Sequence, residues 1–439
     1  MPVEVIFFNV GQGDSTFLFH YDRTKAGTGV APLNERNPRH TALLDCGSTL
    51  STRHLGGTGT VDRAATAKRI RDKLEPYLQK AGKKLDDLLI SHPDEDHFNI
   101  LKDVVADSAT KKVRMNIGRV HYTGGFQDYR EGRGWKFIEA LLTDHGSLAD
   151  PVNNFMVAKR PRRRMVDELV PLWGGVMPTP DAPNLFLMAG EMYGPLKDSE
   201  QTLDPYGNPQ LSKYQDFDQK DIWANISSLV LVLIGQPAAG GERQKLFLMA
   251  DALRFNEDFM QGIYQQDREL VARERRTWLK MGHHGSFTST FPSWLNLLKP
   301  DVLLMSSGTK KFGPGANASG IPPYTHLNKK VLPAWRLVNN GRTPIVLGKD
   351  QAKPLTSWHN YYNFVDADNL GSGRVKGTFH AEYTKETVFT SLWEDSGAPA
   401  TPAGNPPKAK RAATSVPVGV DWHLVFDDPK PGDYAFWYE

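Results

Sequence analysis

Cysteine is almost absent. Cys46 is the single thiol in 439 residues, so no internal disulfide can form and no cysteine-rich zinc ribbon can be assembled. That scarcity fits folding in a reducing compartment, and a cytoplasmic location is expected. Long apolar runs are absent too: the longest, Leu229–Ile234, is far short of the roughly 20 residues that cross a bilayer. The opening MPVEVIFFNVGQGDS lacks the basic stretch of a secretory leader, so a soluble chain with no membrane partner is expected. Neither sign of charge dominates. Lys and Arg number 53 against 50 Asp and Glu, a formal +3, which excludes a polybasic or polyacidic protein. No internal repeat is apparent, so a repeat array is not expected.

What the chain does have is a globular composition, with 39% hydrophobic residues and alternating signals for strand and helix. Val3–Val10 and Thr16–Tyr21 are apolar, aromatic and β-branched, and they flank the turn residues Gly11-Gln12-Gly13-Asp14, which predicts a hairpin. A third strand, Thr41–Leu44, ends in Asp45-Cys46-Gly47. Ala67, Ile70, Leu74 and Leu78 then keep helical spacing, with Asp62 as N-cap. Four later apolar runs each end in polar residues: Leu88–Ile90 in Ser91-His92, Leu246–Ala250 in Asp251, Leu279–Met281 in Gly282-His283, and Val302–Met305 in Ser306-Ser307. Carboxyl ends of strands are where layered α/β folds bind ligands. The spacing predicts one large α/β domain over residues 1–395, with an insertion at about 106–224. Residues 396–419 are Pro/Ala-rich and read as a linker, and the aromatic segment 420–439 is expected to dock back as a strand.

The densest chemistry lies in Ser91-His92-Pro93-Asp94-Glu95-Asp96-His97, where two imidazoles and three carboxylates fall close together. His92 and Asp94 can face one ion while Asp96 and His97 turn toward another, and mixed imidazole and carboxylate donors suit Zn²⁺ or Mn²⁺. Asp251 and the pair His283-His284 stand at later strand ends as further ligands.

Several motifs in order make the chain resemble the metallo-β-lactamase fold, and within it the soluble hydrolase domain of competence-type DNA-internalisation proteins. Phe8-Asn9-Val10-Gly11-Gln12-Gly13-Asp14-Ser15 resembles that family's opening strand and turn, and Leu44-Asp45-Cys46-Gly47 its first acidic motif. His92-Pro93-Asp94-Glu95-Asp96-His97 resembles its metal loop, and Asn225-Ile226-Ser227-Ser228-Leu229-Val230-Leu231 its Asn and Ser-Leu-Val strand. Ala250-Asp251 resembles its bridging aspartate, and Gly282-His283-His284-Gly285-Ser286 its GHHGS motif.

The resemblance implies an αββα sandwich holding two divalent metal ions, with His92 and Asp94 on one and Asp96 and His97 on the other. Asp251 would bridge them, His283 would complete the second site, and His284 is the alternate ligand. Asp96, His284 and His326 are the candidate catalytic residues, His326 for leaving-group protonation or phosphate contact from the loop Pro322-Pro323-Tyr324-Thr325-His326. Asp14 is expected to bond a metal ligand or fix its turn, and Asp45 to support the metal loop. The sequence departs from the wider fold in carrying Asp94 where His is commoner, and Phe98-Asn99-Ile100 where Gly-Gly often follows the loop. A further His ligand is not obvious, His121 and His145 being the candidates.

Two metals about 3.5–4 Å apart can hold a bridging hydroxide, so hydrolysis is the expected chemistry. The anionic Asp94 shifts preference from Zn²⁺ toward Mn²⁺, and by analogy with the competence-type domain the expected substrate is a phosphodiester of nucleic acid or nucleotide. The basic run Lys159–Arg164 is a candidate polynucleotide contact. Two other readings stay open: a carbonyl substrate such as a lactone, thioester or β-lactam, and a metal-bound interaction module without turnover.

Overall fold

Alternating apolar residues at the amino terminus set the layering. In the computed structural model, β1 (Val3–Phe7) sends Val3, Val5 and Phe7 into one core and Ile6 into another, as period-two alternation requires of a strand covered on both faces. The structure describes residues 1–48, 63–107, 113–143, 156–159, 169–173, 182–190, 224–266, 274–306, 387–391 and 421–438, with short interruptions inside these ranges.

The architecture is mixed α/β, with two open sheets and a few helices. The first sheet also contains β2 (Thr16–Arg23), β3 (Arg36–Leu44), β4 (Lys84–Ile90), β5 (Asn116–Tyr122) and β6 (Met156–Lys159). Its other edge is β14 (Trp422–Phe426) beside β1, then β15 (Tyr434–Tyr438). Pairing is antiparallel from β15 to β3 and parallel from β3 to β6. The second sheet runs β13 (Thr387–Ser391), β12 (Val302–Ser306), β11 (Glu274–Lys280), β10 (Arg243–Leu248), β9 (Val230–Ile234), β8 (Asn184–Ala189) and β7 (Val170–Pro171). Here β10 to β13 are parallel, and β9, wholly buried, reads Val-Leu-Val-Leu-Ile as a strand covered on both faces does.

One apolar core joins the two sheets, with Val3, Val5, Phe7, Leu18, Leu44 and Leu89 meeting Leu231, Leu233, Phe247 and Trp278. On the outer face of the first sheet, α1 (Arg63–Lys80) buries Ala67, Ile70, Leu74 and Leu78 against Phe17, Phe19 and Leu43. The short helices α2 (Glu95–Phe98) and α3 (Leu101–Val105) and the later α4 (Trp135–Thr143) complete that layer. α5 (Arg254–Gln266) packs on the second sheet, where Tyr264 and Trp294 close around Phe247.

Asp62 lies outside the described residues. Within the stretch 106–224, β5 and β6 belong to the first sheet and β7 and β8 to the second, so at least these segments are integral to the layers. No helix among the described residues is long and apolar enough to cross a membrane.

Candidate metal centre

Parallel pairing puts the carboxyl ends of β3 and β4 side by side, and likewise those of β10, β11 and β12. Side chains from both sheets meet there. From the first sheet come Asp45 after β3 and the loop Ser91–His97 after β4. From the second come Asp251 after β10, His283 and His284 after β11, and Ser306 at the end of β12.

Asp251 is the centre of the arrangement, and its two oxygens face different partners. Oδ1 is 3.2 Å from His97 Nε2 and 3.4 Å from His284 Nε2, and His284 Nε2 is also 3.2 Å from Asp96 Oδ2. Oδ2 is 3.7 Å from His92 Nε2 and 3.9 Å from His283 Nε2, and His92 Nε2 is 3.5 Å from Asp94 Oδ2. Each oxygen therefore looks toward two imidazoles and a further carboxylate. Three donor triads among the described residues are tight enough to share an ion: His92, His97 and Asp251; Asp96, His97 and His284; and, behind them, Asp14, Asp45 and His97.

Imidazole tautomers are set by the partners of Nδ1. His284 Nδ1 lies 2.7 Å from the Ser306 carbonyl oxygen, which can only accept, so Nδ1 carries the proton and Nε2 is directed at Asp96 and Asp251. His97 Nδ1 is 2.8 Å from Asp45 Oδ2, which likewise leaves Nε2 for the centre. His92 Nδ1 is 2.9 Å from the Ser91 hydroxyl. Asp45 also accepts the Ser91 backbone N–H at 2.7 Å, so one carboxylate orients both a ligand and the loop that carries it.

The residues fit a cation. His92 Nε2, His97 Nε2 and Asp251 Oδ1 are buried with no hydrogen-bond partner, an expensive state for atoms with nothing to coordinate. Electrostatics agree. Burial opposes charge on His97, yet Asp251 and Asp45 outweigh it and raise the imidazole above its ordinary range. For His284 too, burial is overcome by Asp251 and Asp96, and its affinity for a proton rises. Burial likewise disfavours the carboxylates, but His284 and His97 hold Asp96 down at about 2, and His284, His97 and His283 keep Asp251 well below the usual range. His283, for which burial dominates, is shifted down. A pocket that draws protons onto His97 and His284 has the negative potential a divalent ion needs. The buried His and Asp side chains could therefore hold a metal ion.

The histidine pair differs from expectation. His284, not His283, stands with Asp96 and His97. An extended strand end would point adjacent side chains apart, but His283 (φ 43°, ψ 49°) and His284 (φ 53°, ψ 27°) form a left-handed turn, in which both reach Asp251. Asp94 is the N-cap residue of α2 and the most exposed of the loop carboxylates at the centre.

Other candidates lie elsewhere. His121 Nε2 bonds Asp87 Oδ1 at 2.6 Å, and Asp87 is shared with His40 and Arg119, so this imidazole belongs to a polar network between the sheets. His145, His326, Ser307 and Arg160–Arg164 fall outside the described residues. Sequence reasoning missed Lys280, whose ammonium is buried against Asp14. Its signal was a charge between Leu279 and Met281 in an otherwise apolar strand end. It also missed the Ser306 carbonyl, for which a backbone atom leaves no mark in sequence.

No family model, curated protein or solved structure matches the chain.

Proposed function

We propose that the chain is a metal-dependent phosphodiesterase or nuclease of the metallo-β-lactamase fold, working with two divalent ions. One observation carries this reading: the two oxygens of the buried Asp251 face separate sets of imidazole and carboxylate donors, the arrangement a bridging ligand requires. His97, His284 and Asp96 would hold one ion, and His92, His283 and Asp94 the other. When bound, such a pair supplies charge neutralisation at an attacked phosphorus and activates water near neutral pH. The chain's own part is orientation. Asp45 and the Ser306 carbonyl keep Nδ1 of His97 and His284 protonated, so Nε2 is the donor atom at the centre. Carboxylates outnumber what a softer zinc site needs, and Asp94 in particular favours Mn²⁺ and a hard phosphoryl substrate.

The test is metal analysis of the purified protein, then hydrolysis assays with Mn²⁺ and Zn²⁺ on single-stranded, duplex and cyclic nucleotides and on a lactone and thioester panel. About two ions per chain and phosphodiester turnover are expected. Asp251→Asn and His97→Ala should each lose at least one ion and turnover while keeping the parental circular dichroism. Unaltered metal content in both variants, or turnover confined to carbonyl substrates, would overturn the proposal.

A further inference from the structure

Behind the donor atoms, one buried ion pair ties the two sheets together. Lys280 Nζ donates to Asp14 Oδ2, and each side chain is only 3% exposed. Lys280 ends β11 in the second sheet, just before the turn carrying His283 and His284. Asp14 belongs to the first, in the connection from β1 to β2.

Asp14 is fastened to the metal loop as well. Its N–H donates to the Asp96 carbonyl at 3.1 Å, and its own carbonyl accepts the Gly47 N–H at 3.0 Å. A side-chain oxygen lies within 4.8 Å of donor atoms of Asp45 and His97. Next to it, the Gly13 carbonyl accepts the Ser306 hydroxyl, while the Ser306 carbonyl orients His284. The turn at 13–14 thus touches the ligand-bearing ends of both sheets.

Burying an ammonium and a carboxylate strips both of water, and their mutual attraction does little more than offset that loss, so such pairs add little stability over an apolar pair. Charge and geometry give this one a purpose. Asp14, Asp45, Asp94, Asp96 and Asp251 converge on the centre, and two divalent ions together with one ammonium would match their five negative charges.

We infer that Lys280 is a positioning residue which, through Asp14, clamps the two sheets at the spacing that lets both cation positions fill at once. This rests on the dinuclear reading above. The experiment compares the parent with Lys280→Met by manganese stoichiometry, chelator-competition affinity and the electron paramagnetic resonance spectrum of the loaded protein. The parent should bind two ions and give the spectrum of an exchange-coupled pair. Lys280→Met should keep one ion, bind the second about 10–100-fold more weakly, as loss of outer-shell partners typically does, and give the spectrum of isolated manganese. Should that variant fail to fold, Asp14→Asn with Lys280→Gln removes both charges without stranding either, and the same loss of the second ion is expected from it. A folded variant that keeps two ions, parental affinity and the coupled spectrum would overturn the clamp and leave the dinuclear reading standing. A parent that takes up no manganese would overturn both.

Discussion

Gly47 has no room for a side chain, because three backbone atoms of the loop Ser91–His97 occupy that space. A Cβ there would lie 2.1 Å from the Asp96 carbonyl carbon, 2.2 Å from its oxygen and 2.3 Å from His97 N. None of these can move without displacing a candidate ligand. Gly47→Ala should therefore lower unfolding free energy by about 1–3 kcal/mol and release metal, measured by urea unfolding and elemental analysis. Parental values for both would mean that the loop gives way more easily than its contacts imply. Residues of this kind were partly legible in sequence. Asp45-Cys46-Gly47 stood out as a polar strand end, but nothing local revealed that Asp45 reaches His97, 52 positions away, or that Gly47 abuts Asp96.

β14 and β15 extend the first sheet beyond β1, and a buried charge network accompanies the apolar contacts of Leu424 and Phe426. His423 Nδ1 is 2.7 Å from Glu4 Oε1, and Arg36 donates to Glu4 Oε2. Tyr21 donates to Asp428 at 2.7 Å, Arg23 pairs with the same carboxylate, and Arg69 pairs with Asp421. Burial works against the Glu4 carboxylate, yet Arg36 and His423 outweigh it and hold the group at about 2, down from an ordinary 4.5. A depressed carboxylate contributes stability that is fully present above its unfolded value and is lost as pH falls through its folded one. The shift corresponds to roughly 3 kcal/mol. Glu4→Gln should thus be less stable than the parent at neutral pH, with the gap narrowing below pH 4.5 and closing near 2. Urea midpoints of both proteins across that interval decide it, and a gap independent of pH would show that Glu4 does not stabilise through its charge. The aromatic density of the last residues marked them as needing cover. Which strand covers them was not legible, since Glu4 and His423 are 419 positions apart.

Across the molecule, the two sheets share one apolar core and meet again at the candidate metal centre, which draws ligands from both. A ligand that binds only the folded chain stabilises it by mass action, about 2.7 kcal/mol at a free concentration one hundred times Kd. The thermal midpoint should therefore rise with added Mn²⁺ and fall on chelation, while His97→Ala should show a flattened rise. A parental midpoint indifferent to Mn²⁺ and to chelator would argue that no ion links the sheets.

Short-range order decided what the sequence could determine by itself. Apolar, β-branched composition around turn residues marked β1 and β2, helical spacing marked α1, and His92, Asp94, Asp96 and His97 stood out as a candidate metal loop because their donors lie within six residues. Tertiary structure alone decided the rest. That Asp251 faces two donor sets, that His284 rather than His283 joins Asp96 and His97, and that Lys280 reaches Asp14 across 266 positions all depend on how two sheets face each other. The left-handed turn at His283 and His284 belongs to the same class. Such a conformation is unfavourable for these residues in isolation, and it persists where surrounding contacts over-determine it.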